Sequence, residues 1–425
     1  FFFMNHMTLM TLRMATACLF IVLLSGCLKD KCGHTYTLYK PVYKTLAQMR
    51  ADIKGGVPRQ IKQPGKLYLF GNYIFLNETN QGIHVIDNSQ PNNPQQVSFI
   101  NIPGNVDLAV RGNTLYADCY GDLVMLDISN PREVSAKKVV SNVFPHRYGY
   151  YKNYNPLSPD PDKTQVIVGW TKKDTTIDCE TYRIMYSNYY SLDMADIAGN
   201  YVSPQVGGVS GSMARFTLAG NYLYTVTNND LKVFDISNPW EPDFKLSAKP
   251  NVGAVETIFP FKDKLFIGAN SGMAIFDIGN AGTPQKLGQF VHATACDPVV
   301  ADDQYAYVTL RSGTECQNFT NQLDVVDIRN LLTPSLKKTY KMFNPHGLSK
   351  DGNLLFICDG KDGLKVYDAG DVMKLKLIKH ITGIETYDVI ARKKKALVVA
   401  REGLYQFDYT DPKDIRLISI IHKRD

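Results

Sequence analysis

The sequence predicts an all-β fold made of repeated antiparallel units. Eight times along the chain an apolar run ends in an aspartate that Pro, Gly or Asn residues soon follow. Five of the seven spacings between these aspartates lie between 40 and 42 residues. A repeat of this length, with several short strands per copy, is typical of β-propeller blades. We therefore predict an eight-bladed β-propeller of four-stranded antiparallel blades, with seven blades as the alternative. The marker aspartates of repeats 1 to 8 are Asp87, Asp127, Asp193, Asp235, Asp277, Asp327, Asp368 and Asp408.

The N-terminal segment predicts export from the cytoplasm. Met14–Ser25 is apolar and too short to span a bilayer as a mature helix, so residues 1–26 are predicted to be a signal peptide. The sequence Leu-Ser-Gly-Cys, which ends at Cys27, resembles a bacterial lipobox and implies lipid attachment to that cysteine and a tether over residues 27–64. Leu28 resembles an outer-membrane sorting signal. We expect an outer-membrane lipoprotein, periplasmic or surface-exposed; the alternative is an ordinary signal peptide with an incidental cysteine.

Composition and cysteine spacing exclude several classes of function. The net charge is +6, but the basic residues are dispersed apart from short runs such as Arg392–Lys395, which we predict to be a hairpin turn. No nucleic-acid partner is expected. The cysteines show no Cys-x-x-Cys or Cys/His spacing, so no metal or other cofactor is predicted. A disulfide between Cys296 and Cys316 and two separate thiols are both compatible with the sequence.

Residues 65–425 are predicted to form the propeller, and repeat 2 is its template. The alternating run that begins at Asp107 stops at the turn Gly112-Asn113, and Thr114 to Cys119 gives a second strand. A third strand ends near the marker aspartate, and a fourth follows Pro131. The aspartate after each third strand can accept backbone N–H groups of the next turn, so we interpret it as a structural Asx cap. The dense Asp/Asn/Gly loops of calcium sites are missing, which disfavours calcium ligation.

These motifs resemble the LVIVD-repeat proteins. The shared pattern is Gly-[Asn/Asp]-x-[Leu/Ala]-[Tyr/Phe]-[Val/Ala], then Gly-Leu-x-[Val/Ile]-[Phe/Ile/Leu]-Asp-[Ile/Asn]-Ser-x-Pro, and it is sharpest at residues 112–131, 220–239 and 263–284. The resemblance implies a secreted or surface-associated propeller with an extracellular binding role, and it carries over no catalytic residues. Residues 141–200, which contain repeat 3, depart from the pattern because they are long, rich in tyrosine and lack the Asp-Ile-Ser-Asn-Pro ending.

The first strand of each propeller blade lines a central channel, and ligands often bind at the channel mouth. A polar residue occurs near the start of most first strands, which predicts a mixed-charge funnel. The alternative is that these groups pair with one another and close the channel. The candidate funnel residues are Asp107, His146 (or Arg147), Arg215, Glu256, Asp297, His346 and Asp388.

The sequence favours a binding function over catalysis. The tyrosine-rich repeat 3 offers aromatic side chains that could contact a sugar or protein partner, or could cover the edge of their own blade. No Gly-x-Ser-x-Gly or His-Glu-x-x-His motif occurs, and no catalytic residue is assigned. We predict a lipid-anchored envelope module that binds or scaffolds a protein or glycan. The alternative is a metal-dependent or acid/base hydrolase with its site in the funnel, built from His146, His292, His346 and Asp297.

Overall fold

The computed structural model describes residues 33–144, 150–155, 160–178, 212, 214–292, 298–312 and 321–423. The chain divides into two units. The smaller comprises Phe1–Pro41 and Trp170–Met194, and the larger comprises Val42–Gly169 and Ala195–Asp425.

The first described elements are β1 (Gly33–Thr45), α1 (Leu46–Ala51) and β2 (Lys54–Gly56). Two four-stranded blades follow. Blade 1 contains β3 (Pro64–Phe70), β4 (Tyr73–Glu78), β5 (Gly82–Asp87) and β6 (Gln95–Asn101). Blade 2 contains β7 (Leu108–Arg111), β8 (Thr114–Cys119), β9 (Asp122–Asp127) and β10 (Ser135–Val140). Next come β11 (Tyr151–Lys152) and β12 (Gln165–Asp178).

Five further blades complete the described chain. Blade 3 contains β13 (Phe216–Ala219), β14 (Tyr222–Val226), β15 (Leu231–Asp235) and β16 (Asp243–Ala248). Blade 4 contains β17 (Val255–Phe261), β18 (Lys264–Ala269), β19 (Gly272–Asp277) and β20 (Gln285–Val291). Blade 5 contains β21 (Val299–Ala301), β22 (Tyr305–Leu310), β23 (Gln322–Asp327) and β24 (Ser335–Lys341). Blade 6 contains β25 (Leu348–Asp351), β26 (Leu354–Cys358), β27 (Leu364–Asp368) and β28 (Lys376–Ile381). Blade 7 contains β29 (Thr386–Arg392), β30 (Lys395–Ala400), β31 (Gly403–Asp408) and β32 (Arg416–His422).

The predicted propeller of four-stranded antiparallel blades is confirmed. Its first strands lie side by side around a ring: β3 packs against β7, each later first strand packs against the next, and β29 packs against β3. The ring of described blades therefore closes at seven, which is the alternative blade count. The described part of repeat 3 does not lie between its neighbours in the ring, because β7 of repeat 2 packs directly against β13 of repeat 4. Repeats 1, 2 and 4 to 8 thus form blades 1 to 7.

The marker aspartates shape the turn between the third and fourth strands. In all seven blades the carboxylate accepts the backbone N–H two residues later, as Asp127 does from Ser129 at 2.9 Å and Asp408 does from Thr410 at 2.8 Å. The predicted Asx cap is therefore confirmed in each blade, while Asp193 lies outside the described residues. In blade 5 the Arg329 guanidinium also bonds Asp327 and holds the pKa of that carboxyl at about 2.

An aromatic side chain at one position of the second strand joins neighbouring blades. The aromatic residues at this position are all buried: Phe75, Tyr116, Tyr224, Phe266, Tyr307 and Phe356. The hydroxyl of Tyr116 donates to the Pro239 carbonyl of blade 3 at 3.2 Å, and that of Tyr224 donates to Ala281 of blade 4 at 2.6 Å. Because the middle strands are apolar on both faces, the core lies between the blades, as face-to-face packing of sheets requires.

Residues 54–56 lie between the outer edges of blades 1 and 2. The strand β2 pairs antiparallel with β6, with Gly55 opposite Ile100, and also with β10, where the Gly55 N–H donates to the Val134 carbonyl at 2.9 Å. A Cβ on Gly55 would lie 2.9 Å from the Val134 nitrogen, so only glycine fits between the two edges. The strand β1, which contains Tyr36, pairs with β12.

The described part of repeat 3 does not form a four-stranded blade. Its strands β11 and β12 join β1 in a three-stranded sheet of order β1-β12-β11. In the smaller unit, Thr35 and Thr176 are joined through their hydroxyls at 2.8 Å, and the Thr37 hydroxyl donates to Asp174 at 2.7 Å. Among the described residues, no helix has the length and apolar character needed to cross a membrane.

Candidate functional site

A cluster of buried charged residues lies where the first strands of blades 7, 1, 2 and 3 begin. Lys66 of blade 1 contacts Asp107 of blade 2 through Nζ and Oδ2 at 2.8 Å, and each side chain is only 1% exposed. The same Oδ2 accepts the backbone N–H of Arg215 in blade 3 at 2.7 Å, and Oδ1 accepts the Leu108 N–H at 2.7 Å. One carboxylate therefore ties three consecutive blades together.

Burial and pairing act in opposite directions on this ion pair. Burial raises the pKa of Asp107 to about 7 and lowers the pKa of Lys66 to about 8, while the contact between them opposes both shifts. Each charge is therefore stable in the interior only while its partner is present. Asn105 supports the loop before β7, because its amide donates to the Asp107 carbonyl at 2.7 Å and to Asp118 Oδ1 at 2.8 Å.

His346 and Arg311 form a second buried contact, near the entrances of blades 5 and 6. The Arg311 guanidinium donates to His346 Nδ1 at 2.6 Å. Burial, assisted by the Arg311 charge, holds the pKa of His346 well below its usual range, so the imidazole is neutral at physiological pH. Because Nδ1 accepts this bond, the ring proton resides on Nε2. Burial lowers the pKa of Arg311, and the Glu256 carboxylate of blade 4 opposes that shift.

Asp388 of blade 7 is the least satisfied of these groups. Its side chain is fully buried, and neither carboxylate oxygen has a side-chain hydrogen-bond partner among the described residues. Burial raises the pKa of Asp388 to about 8, although the Val389 backbone N–H and the nearby Lys66 charge oppose the shift. A Cβ on Gly347 would lie 2.3 Å from Asp388 Oδ1, so the carboxyl fits only because blade 6 has a glycine there.

We expect Asp388→Asn to reduce the pH dependence of stability. The unfolded aspartate titrates near its ordinary value of 3.8, whereas the folded one titrates at about 8. Between these values the folded state holds a proton that the unfolded state releases, so wild-type stability falls as pH rises, by up to about 1.4 kcal/mol per pH unit. Urea denaturation at pH 5, 6, 7 and 8 should show the variant gaining stability relative to wild type. Parallel profiles would contradict the prediction, and exposed Asp303→Asn is the control.

The predicted funnel residues occupy two different registers. Counting back five residues from the turn after each first strand places Lys66, Asp107, Arg215 and Asp388 at one position, whereas Glu256 and His346 lie one residue earlier. His146 and Asp297 lie outside the described residues, as does Cys27. The described residues Asp107, Arg215 and Asp388 belong to one cluster, whereas His346 contacts Arg311. Sequence reasoning missed Lys66, although it precedes Gly71 by the same five residues that separate Asp107 from Gly112.

The described tyrosines of repeat 3 contact the surface of blade 2. Tyr151 accepts the Gly121 N–H through its hydroxyl at 2.9 Å, and its ring lies 6.3 Å from that of Tyr120. Tyr150 packs on the same Tyr120 ring at 5.4 Å, and the Tyr154 hydroxyl donates to Asn142 at 2.5 Å. These side chains cover their neighbouring blade. Tyr148, Tyr182, Tyr186, Tyr189 and Tyr190 lie outside the described residues.

A surface cavity of about 260 Å³ adjoins blade 1, and sequence reasoning had not predicted it. Its lining residues are Arg59, Gln60, Lys62, Glu78, Gln81 and Phe99. Glu78 accepts the backbone N–H groups of Lys62 and Gln63 at 3.0 and 2.5 Å, and it contacts His84 Nε2 at 2.9 Å. The Glu78 carboxylate therefore fixes residues 62 and 63, which lead into blade 1. Within the described residues, no group of three or more His, Cys, Asp and Glu side chains could hold a metal ion.

Comparison with known proteins agrees with this architecture. The LVIVD-repeat model matches residues 104–140, 210–249 and 294–342. No curated protein matches the chain. Two of the segments with the sharpest sequence pattern, 112–131 and 220–239, lie inside these matches, whereas 263–284 does not.

Several solved structures share the fold. A protein from Lactobacillus plantarum superposes with a TM-score of 0.54 at 10% identity, covering 86% of this chain and 97% of the other. The computationally designed Ika8 protein gives 0.52 at 12% identity, covering 86% and 90%. Saccharomyces cerevisiae Sqt1 gives 0.50 at 10% identity, covering 84% and 86%. At these identities the likeness shows the fold alone. The three matched segments show that the chain contains LVIVD repeats within its closed ring of blades.

Proposed function

We propose that this protein is a cell-envelope propeller that binds or scaffolds protein or glycan partners and is held at the outer membrane by lipid on Cys27. The observation that carries the binding role is the mutual pairing of the channel-entrance charges. Lys66 and Asp107 neutralise each other at 2.8 Å, and Asp107 also receives a backbone N–H group from blade 3. Groups engaged in this way stabilise the ring and are poorly suited to act on a substrate.

The outer surfaces of the blades support the same proposal. Large apolar side chains stand exposed there, including Phe244, Leu332, Leu336, Leu377 and Leu417. Exposed apolar side chains offer a protein partner surface that association removes from water. Partners of this protein would therefore meet the rim of the blades.

An acid/base hydrolase at the funnel is the second candidate, and Asp388 is the observation that favours it. A buried carboxyl with a raised pKa is protonated near neutral pH and can serve as a general acid. The neutral His346 lies in the adjacent blade. In this second candidate Asp388 would donate a proton to a leaving group, with His346 nearby.

Lipid attachment can be tested in a Gram-negative host. The full chain should incorporate radiolabelled palmitate and fractionate with the outer membrane, whereas Cys27→Ser should lose both properties. Cys119→Ser is a matched control because Cys119 is buried in blade 2, and it should retain the label. Equal labelling of the wild type and Cys27→Ser would contradict the proposed anchor.

Binding and hydrolysis can be separated with one set of variants. Full-length Cys27→Ser protein is titrated calorimetrically with envelope polysaccharide, and the products are examined for new reducing ends. The binding proposal predicts heat of binding without cleavage, retained in His346→Ala and Asp388→Asn. Cleavage that both variants abolish would establish the hydrolase. The absence of polysaccharide binding would restrict the proposal to protein partners.

A further inference from the structure

We infer that the outer edge of blade 5 binds an extended acidic segment of a partner protein by adding it as a fifth strand. This inference rests on the proposed binding function and names the surface and the chemistry of the partner. The strand β24 is the last of its sheet, so its outward N–H and C=O groups face no further strand among the described residues. An open edge of this kind is a template for an added strand.

The protein already uses this mode of pairing elsewhere in the ring. The strands β6 and β10 occupy the same outer position in blades 1 and 2 that β24 occupies in blade 5, and both bond to β2. The outer edge of a blade in this protein can therefore accept an extended segment. The segment that does so, Lys54–Gly56, is too short to reach the other blades at the same time.

Charge distinguishes the blade 5 edge from the others. Residues 328–341 contain four basic side chains and no acidic one: Arg329, Lys337, Lys338 and Lys341. Arg329 pairs with Asp327, and the Lys337 charge also acts on that carboxylate. Lys338 lies over the Tyr340 ring at 5.9 Å, and the salt bridges of the described residues include none from Lys338 or Lys341. The equivalent residues of blade 3, 236–249, hold two acidic and two basic side chains. An acidic segment would therefore be attracted to blade 5 and not to blade 3.

Exposed apolar side chains flank the same edge. Leu332 is 65% exposed and Leu336 is 51% exposed, and the corresponding residues of blade 6, Met373 and Leu377, are 45% and 47% exposed. Strand addition supplies affinity through the main chain, and side chains that alternate along the added strand supply specificity. A segment that alternates acidic and apolar residues fits both the lysines and the leucines. Lysines on an edge also discourage pairing between copies of the same chain.

The test uses a fluorescent eight-residue peptide that alternates valine and glutamate, with the full-length Cys27→Ser protein. We expect a saturable rise in anisotropy that the double variant Lys337→Glu/Lys338→Glu weakens at least tenfold. The matched variant Lys245→Glu/Lys249→Glu at blade 3 should change the affinity less than twofold. A peptide with lysine in place of glutamate should not bind. N-methylation of alternate residues removes the backbone donors on one edge of the peptide, and the version that blocks the pairing edge should lose binding.

Each other outcome overturns the inference. No saturable binding up to about 1 mM peptide would show that the edge is closed to strands. Binding that survives both N-methylated versions would show charge attraction alone. Binding to phosphatidylserine vesicles that competes with the peptide and survives N-methylation would assign the surface to an anionic membrane. Concentration-dependent dimers lost in Leu336→Glu would assign it to a second copy of the chain. Calorimetric binding of a polysaccharide does not depend on the blade 5 edge, so it would persist in each of these cases. Failure of the strand-addition inference can therefore be distinguished from failure of the proposed function.

Discussion

Lys66→Met is expected to lower the free energy of unfolding by about 3–5 kcal/mol, because it removes the charge that compensates a buried carboxylate. Lys66 and Asp107 are each 1% exposed and lie 2.8 Å apart. Methionine preserves most of the buried stem, so the loss reports the charge and not the volume. Urea denaturation at pH 7, followed by far-UV circular dichroism and tryptophan fluorescence, measures the change.

Two variants accompany this measurement. Lys62→Met changes an exposed lysine four residues earlier and should stay within about 0.5 kcal/mol of wild type. Lys66→Met/Asp107→Asn removes both charges of the pair, and it should recover part of the stability lost in Lys66→Met. A double variant no more stable than Lys66→Met would contradict the prediction that Lys66 stabilises the fold by compensating the Asp107 charge.

Gly363→Ala is the second change with a large expected effect, a loss of about 3–5 kcal/mol from backbone strain and overlap combined. Gly363 precedes β27 with a φ of +84°, and a Cβ there would lie 2.0 Å from the Ile381 carbonyl oxygen of the neighbouring strand. Because the obstacle is the main chain of β28, no side-chain rotation relieves it. The same overlap recurs at Gly82, Gly272 and Gly403, which explains the glycine at or just before the start of the third strand in the repeat.

The control for Gly363→Ala lies in the same blade. Gly352 has a φ of +58°, but a Cβ there would meet no atom within 4 Å. Gly352→Ala therefore introduces backbone strain without overlap and should cost about 1–2 kcal/mol. Equal losses in the two variants, measured by urea denaturation, would mean that the overlap with Ile381 is relieved by movement of β28.

Local chemistry explains why the blade architecture was predictable. The marker aspartate, the Gly-Asn turn and the alternating apolar runs each act within one hairpin. They can therefore be recognised from a short stretch of sequence. The bonds from Asp127 to Ser129 and from Asp408 to Thr410 span two residues each. Candidate inner-strand residues such as Asp107 and Asp388 followed from the same repeat.

The blade count and the pairing of the buried charges depend on contacts that no local pattern encodes. Asp193 ends a run like the other markers, yet the ring closes because β7 meets β13, which lies more than 100 residues further along the chain. The edge strand Lys54–Gly56 carries no strand signal of its own, and it is ordered by two blades that meet on either side of it. Lys66 and Asp107 come from different blades, as do Arg311 and His346. The sequence thus specified the hairpins and their turns, whereas ring closure selected the partners of the buried charges, because a charge far from water is stable only beside the group that the assembled ring places within hydrogen-bonding distance.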